Sequence, residues 1–289
     1  MTTKLRLGAS IAVVALFLSI LSSTCEVSAQ DGPSGVDVLR RGGEYLPHIF
    51  APKGSPRTTN KPLIDHGGPV LPASHVYALY WGPVPSDISN ALETFFSGFG
   101  GSSYANILTQ YMRGVPPAPP ASSYATLPPD GSAPPTHAPS VSTIVNEVCA
   151  SLGASAPDPA GVYFVITSNF PKGANFCAYH SFGTCNGSLI AVAYLPNLTG
   201  VRGCDIPSLP STSNPFSNGG QSMANAAAHE LSESITDQFI TAWFDTSGQE
   251  VGDKCNFQFG SPVTLSNGSE WSLQEEWSNA NLGCVQSIP

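Results

Sequence analysis

Short apolar runs predict three buried strands along the chain. The first, 75–81, is rich in aromatic residues and ends at Gly82-Pro83, a dipeptide that terminates regular structure. Residues 161–167 form the clearest apolar run, and 189–195 form a third. Each run has the length and composition of a strand that is covered by the rest of the protein.

Four other segments have the apolar spacing of helices. They are 86–96, which Ser86 or Asp87 can cap, 104–112, 140–152 and an alanine-rich segment at 221–236. The order along the chain is strand, helices, strand, strand, helix and an irregular tail that contains cysteines. This order predicts a single α/β domain with a mixed sheet packed by helices, rich in loops and disulfide-bonded.

The first residues have the three parts of a secretory signal. Lys4 and Arg6 precede an apolar run at 11–21, and small residues at 27–29 offer a cleavage site. The run has about eleven residues, whereas roughly 20 are needed to cross a bilayer. We therefore expect residues 1–29 to be removed on export, which leaves a secreted protein, extracellular or in a cell wall, with no membrane anchor.

The rest of the chain divides into a leader and one domain. Residues 30–63 show no apolar periodicity and are interpreted as a flexible leader, so the domain is expected to occupy 64–289. Within it, a Pro-, Ala- and Ser-rich tract at 115–138 predicts a surface loop.

Six cysteines remain once Cys25 has left with the signal, and an oxidising compartment predicts three bridges among them. The pairing stays open at this point. The short-loop options are Cys177 with Cys185 or Cys204, and Cys255 with Cys284.

Charge excludes one class of partner. The signal contains two of the 11 basic residues and one of the 20 acidic ones, so the mature chain has a net charge of −10. Nucleic acid binding requires a basic face. The expected partner is therefore a peptide or a cell-wall polymer, and the oligomeric state is left open.

The alanine-rich helix contains the motif with the clearest chemistry, His229-Glu230-Leu-Ser-Glu233. Residues four apart lie on one face of a helix, so His229 and Glu233 can hold one ion with Glu230 beside it. Zinc peptidases use this layout, with the intervening glutamate as general base toward a metal-bound water. Glu233 replaces their usual second histidine, so zinc is expected while manganese, iron and calcium stay open.

The alternative interpretation is an amphipathic helix with a solvated polar face. The three alanines at 226–228 favour packing on several sides instead. Burial of a histidine and two glutamates there is costly without a cation or other partners. A divalent metal is therefore the expected cofactor.

The remaining ligands must come from another part of the chain. The acidic segment 243–255 is the natural source, with Asp253 preferred and Glu250 next, 24 and 21 residues beyond His229. Asp245, in Asp-Thr-Ser-Gly, is better explained by turn chemistry. His180, beyond the strand at 161–167, is a candidate catalytic residue that donates to the transition state, or else a ligand.

These landmarks together resemble the EXORDIUM-like, or phosphate-induced, family of secreted proteins. The resemblance is carried by Gly67-Gly68-Pro69-Val70, Tyr80-Trp81-Gly82, residues 162–167, Phe176-Cys177 with His180, and the block from His229 to Cys255. It implies export and association with the cell wall, and it brings no defined activity. The case for catalysis therefore depends on His229, Glu230 and Glu233 themselves.

Two functions follow as hypotheses. The first is a secreted metal-dependent hydrolase, most of all a peptidase, with His229, Glu233 and Asp253 or Glu250 on the metal, Glu230 as base and His180 as oxyanion donor. The second is a non-catalytic extracellular protein that binds a wall polymer or a receptor, with a structural metal or none. Trp271 and Trp277 could then form a carbohydrate platform, although core packing is the more ordinary role for both.

Overall fold

The computed structural model describes residues 40–41, 44–55, 61–114, 120–206 and 212–288, all of which belong to one compact unit, 33–289. The predicted signal at 1–29 lies outside the described residues. Among the described helices, none is both long enough and apolar enough to cross a bilayer.

The described residues form three α-helices, two short 3-10 helices and fourteen strands. The helices are α1 (Ser86–Phe99), α2 (Val141–Leu152) and α3 (Asn218–Thr236), and the 3-10 helices are Ala105–Tyr111 and Asp253–Cys255. The strands are β1 (Arg40–Arg41), β2 (Glu44–Tyr45), β3 (His48–Phe50), β4 (Ile64–Asp65), β5 (Ala73–Trp81), β6 (Ala121–Thr126), β7 (Gly161–Thr167), β8 (Ala178–Cys185), β9 (Ser188–Pro196), β10 (Trp243–Phe244), β11 (Val263–Thr264), β12 (Glu270–Trp271), β13 (Glu276–Ser278) and β14 (Gly283–Val285).

A six-stranded mixed sheet forms the centre of the fold, in the order β3-β8-β9-β7-β5-β6. Strands β6, β5, β7 and β9 are parallel neighbours, whereas β8 pairs antiparallel with β9 and β3 pairs antiparallel with β8. The other strands form small two-stranded ladders. The predicted α/β fold with a mixed sheet packed by helices is confirmed.

Helices cover both faces of this sheet. On β7, Phe164 packs into a core shared with α1 and α3, whereas its neighbour Val165 packs on the opposite face with α2. The alternation follows from the two-residue period of a strand. Strand β7 is buried along its whole length, as its continuous apolar run predicts.

Two predicted boundaries are wrong. Residues 48–50 of the expected leader form β3, and residues 121–126 of the expected loop form β6. These two strands are the opposite edges of the main sheet. Strand β3 has only three residues, and β6 is a small, polar strand with a largely exposed pattern, so neither has the apolar run by which the inner strands are recognised.

Three disulfides link the elements. They are Cys149–Cys185, Cys177–Cys204 and Cys255–Cys284. The expected number of bridges is confirmed, and two of the short-loop options are the observed pairs. The third bridge has a direct bearing on the site, because Cys255 ends the 3-10 helix that begins with Asp253.

Candidate metal centre

Helix α3 is the central support of the site. Ser217 caps it by accepting a hydrogen bond from the amide of Gly220, and from Gly219 to Thr236 every residue is buried. His229 and Glu233 lie one turn apart, with Nε2 of the histidine 3.1 Å from Oε1 of the glutamate. The spacing in the sequence therefore places an imidazole and a carboxylate side by side in the protein interior.

The acidic segment closes over this pair. The backbone amide of Asp253 donates to Glu233 Oε1 at 3.1 Å, and Asp253 Oδ1 lies 3.7 Å from His229 Nε2. The disulfide of Cys255 and the hydrogen bond from the Trp277 amide to the carbonyl of Val251, 3.0 Å long, fix the segment. Asp253 thus stands where the sequence analysis expected an additional ligand.

Asp245, near the start of the same segment, makes the hydrogen bonds of a turn, as the sequence predicted. Its Oδ1 accepts from the amides of Ser247 and Gln249, and its Oδ2 pairs with the buried ammonium of Lys254 at 3.0 Å. This residue supports the segment without entering the cluster around Glu233.

Two more histidines reach the cluster from the sheet. His180 on β8 and His48 on β3 are direct partners in the antiparallel register. Nε2 of His180 lies 2.9 Å from Glu250 Oε2 and 3.4 Å from Glu233 Oε2. Nδ1 of His48 lies 3.5 Å from the same Glu233 oxygen.

The side chains thus form two overlapping groups of potential ligands. The four-residue group contains His48, His180, Glu233 and Glu250, and the three-residue group contains His229, Glu233 and Asp253. Within each group the ligand atoms lie within 4.8 Å of one another. A buried cluster of imidazole nitrogens and carboxylate oxygens at this spacing could hold a metal ion, and the donor types suit zinc among other divalent cations.

The cluster is deeply buried and short of hydrogen bonds. His180, His229, Glu233 and Glu250 have no solvent-exposed surface. Nδ1 of His48, Nε2 of His229, Oε2 of Glu233 and Oε1 of Glu250 are buried without a hydrogen-bond partner. Because buried polar atoms are nearly always satisfied, this concentration of unpaired nitrogen and oxygen atoms is suited to binding a cation.

Burial and neighbouring charges shift the pKa values of the cluster in different directions. Burial opposes a charge on His229, but the carboxylate of Glu233 outweighs it and raises the pKa of His229 to about 10. Burial lowers the pKa of His180 to about 3 and raises that of Asp253 to about 6. Of these three groups only His229 holds a proton at neutral pH, and it would have to release that proton to bind a metal.

Glu230 differs from its neighbours on the helix. It is fully buried, and neither carboxylate oxygen has a hydrogen-bond partner. Burial raises its pKa well above the usual range, while the charges of His229 and His48 act in the opposite direction. Glu230 is next to His229 in the chain and belongs to neither ligand group.

His48 is the residue that the sequence analysis missed. It lies in the segment that was interpreted as a leader, where a three-residue strand gives no periodic signal. The neighbouring Phe50 was missed as well, and its ring packs on that of His229 with centroids 4.3 Å apart. The tripeptide His-Ile-Phe, a histidine between proline and two apolar residues, was the one available hint.

Gly252 gives the ring of His229 its space. A Cβ atom at this position would stand 2.6 Å from Nδ1 of the histidine, although the φ of −78° would suit alanine. We expect Gly252→Ala to displace the ring and to weaken zinc binding by about 10–100-fold, the usual cost of disturbing a ligand's support. Isothermal titration with zinc measures the change.

Gly131→Ala is the matched control for this substitution, because a Cβ at Gly131 meets no atom within 4 Å. It should leave the affinity unchanged. An unaltered dissociation constant for Gly252→Ala would contradict the place of His229 in the centre.

No family model matches the chain, and neither the curated proteins nor the solved structures contain a match to it. The EXORDIUM-like resemblance therefore stays a prediction. The arrangement of the side chains is therefore the basis for inferring a function.

Proposed function

We propose that the chain is a secreted metal-dependent hydrolase, with peptides as the first substrate class to test. The observation that carries the proposal is Glu230, a fully buried carboxylate next to His229 in the chain, neither of whose oxygens has a hydrogen-bond partner. A protein core retains such a group at a considerable energetic cost. A role in proton transfer accounts for that cost.

The three-residue group is the proposed position of the catalytic ion. His229, Glu233 and Asp253 would hold it, and a site with three protein ligands leaves room for water or substrate. A divalent cation in such a site supplies Lewis acidity, which makes water a stronger acid and stabilises negative charge as it develops.

Glu230 is assigned as the general base. Its carboxylate would accept the proton of the attacking water and return it to the leaving group. Burial raises the pKa of this carboxyl above its ordinary range, which makes its carboxylate a stronger base than an exposed glutamate.

The contacts of His180 differ from those expected of an oxyanion donor. Its Nε2 faces Glu250 and Glu233, and the side chain is fully buried. This environment favours a role as ligand or as support for the centre over contact with a substrate.

Solvent reaches the centre at two side chains. His48 and Asp253 are 16% and 12% exposed, whereas the other members of the two groups are buried. Substrate would approach on this side, beside the three-residue group. Secretion, which the signal-like first residues predict, agrees with the three disulfides of the fold.

The deep burial of the centre also favours a second candidate, a non-catalytic extracellular protein with a structural ion. One form of that candidate loses support. Trp271 and Trp277 are 0% and 3% exposed, so they pack in the core and offer no platform for a carbohydrate.

The test compares metal-loaded and chelated forms of the protein without residues 1–29, after elemental analysis. A mixed library of unstructured peptides is incubated with each form, and products are identified by mass spectrometry. The hydrolase proposal expects cleavage that disappears on chelation and returns with zinc. Stoichiometric metal together with intact peptides, and equally intact ester and glycan substrates, would favour the structural ion.

A further inference from the structure

Glu233 faces two different sets of partners with its two oxygens. Oε1 lies 3.1 Å from His229 Nε2, while Oε2 lies 3.4 Å from His180 Nε2 and 3.5 Å from His48 Nδ1. A single ion at His229 would use only the first of these oxygens. The second would remain buried, unpaired and directed at two imidazoles.

His48 is oriented as a ligand is. Its Nε2 donates a hydrogen bond to the carbonyl of Gly248 at 2.8 Å, so the neutral imidazole that a metal requires has its lone pair on Nδ1. That Nδ1 is buried, has no hydrogen-bond partner and faces Glu233 and Glu250. Metal-binding histidines are typically held this way, with the other ring nitrogen tied to a carbonyl or a carboxylate.

The spacing of the four-residue group also fits an ion. Ligand atoms about 2.0–2.1 Å from a tetrahedral ion are about 3.3–3.4 Å from one another. Nδ1 of His48 and Nε2 of His180 lie 2.9–3.8 Å from the oxygens Oε2 of Glu233 and Glu250. The observed separations fall on both sides of the tetrahedral value.

Charge also supports a second cation. The two ligand groups contain three carboxylates, those of Glu233, Glu250 and Asp253, and their ion pairs among the described residues are with histidines. Once the histidines are neutral, as metal ligands must be, and the three carboxylates are ionised, one divalent ion offsets two of the three negative charges. The third carboxylate would stay buried without a countercharge, which a second divalent ion supplies.

We propose that the cluster is a two-ion centre bridged by Glu233. The ion held by His48, His180, Glu233 and Glu250 has four protein ligands and is a closed, structural site. The ion held by His229, Glu233 and Asp253 has three and is the open site. The assignment of the open ion to catalysis rests on the proposed function, whereas the two-ion stoichiometry does not.

Zinc stoichiometry tests the proposal. The protein without residues 1–29 is freed of metal, titrated with zinc by calorimetry, and analysed for zinc after removal of the excess. We expect two ions per chain in the unmodified protein and one ion in each of the single variants His180→Ala and His229→Ala. His66→Ala is the control, because His66 stacks on Phe244 and belongs to neither ligand group, and it should retain two ions.

The outcomes separate the two proposals. One zinc in the unmodified protein would overturn the two-ion centre whether or not the variants fold, and two ions in His180→Ala would overturn the assignment of the closed site. Near-ultraviolet circular dichroism verifies that the variants are folded. Two ions without any hydrolysis would refute the proposed function alone, whereas one ion with hydrolysis that requires Glu230 would refute the two-ion centre alone.

Discussion

Glu230→Gln is expected to reduce metal-dependent hydrolysis by about 10²–10⁴-fold, the range by which a general base contributes to a reaction. Glutamine keeps the shape of the side chain but cannot accept the proton of the attacking water. Glu230 belongs to neither ligand group, so the variant should contain as much zinc as the unmodified protein. The two measurements are kcat/KM on a cleaved peptide and elemental analysis of the same sample.

Glu276→Gln is the matched control for Glu230→Gln. Glu276 is also a fully buried glutamate with one unpaired oxygen, but its other oxygen accepts a 2.6 Å hydrogen bond from Tyr104. It should leave the rate within about twofold, because it belongs to neither ligand group and is held by Tyr104. A Glu230→Gln protein that retains both full zinc and full activity would remove Glu230 from the mechanism.

Removal of metal is expected to lower the melting temperature by roughly 8–16 °C. A ligand at 1,000 times its dissociation constant stabilises the native state by about 4 kcal/mol. In a domain of this size each kcal/mol corresponds to about 2–4 °C. The physical reason is that without a cation the carboxylates of Glu233, Glu250 and Asp253 repel one another in the interior.

Differential scanning calorimetry with and without a chelator measures the shift, and added zinc should reverse it. Glu233→Gln provides the internal control, since it removes the side chain shared by both groups. Its melting temperature should be low and should not respond to the chelator. An identical melting temperature for the metal-loaded and metal-free forms of the unmodified protein would contradict a metal in the core.

The sequence predicted those helices and strands that have a strong local pattern of apolar residues. Helix α3 was expected at 221–236 and occupies Asn218–Thr236, and β7 was expected at its observed residues, 161–167. Both have a strong local pattern, the small apolar residues of a buried helix or the unbroken apolar run of an inner strand. The pairing of His229 with Glu233 followed from helical geometry alone.

The parts that were missed depend on contacts between distant segments. His48 gains its position from pairing opposite His180, and nothing near residue 48 in the chain encodes that pairing. The role of Glu233 as a shared residue likewise became visible only when β3, β8 and the acidic segment were seen around it. A periodic pattern reports which face of an element is buried, but not which other segment covers it.

Strand β3 has a consequence for maturation of the protein. His48 lies before residue 64, on a strand at one edge of the main sheet, and its imidazole belongs to the four-residue group. Proteolytic trimming of the chain back to residue 64 would therefore remove one of the four side chains of this group together with an edge strand of the sheet.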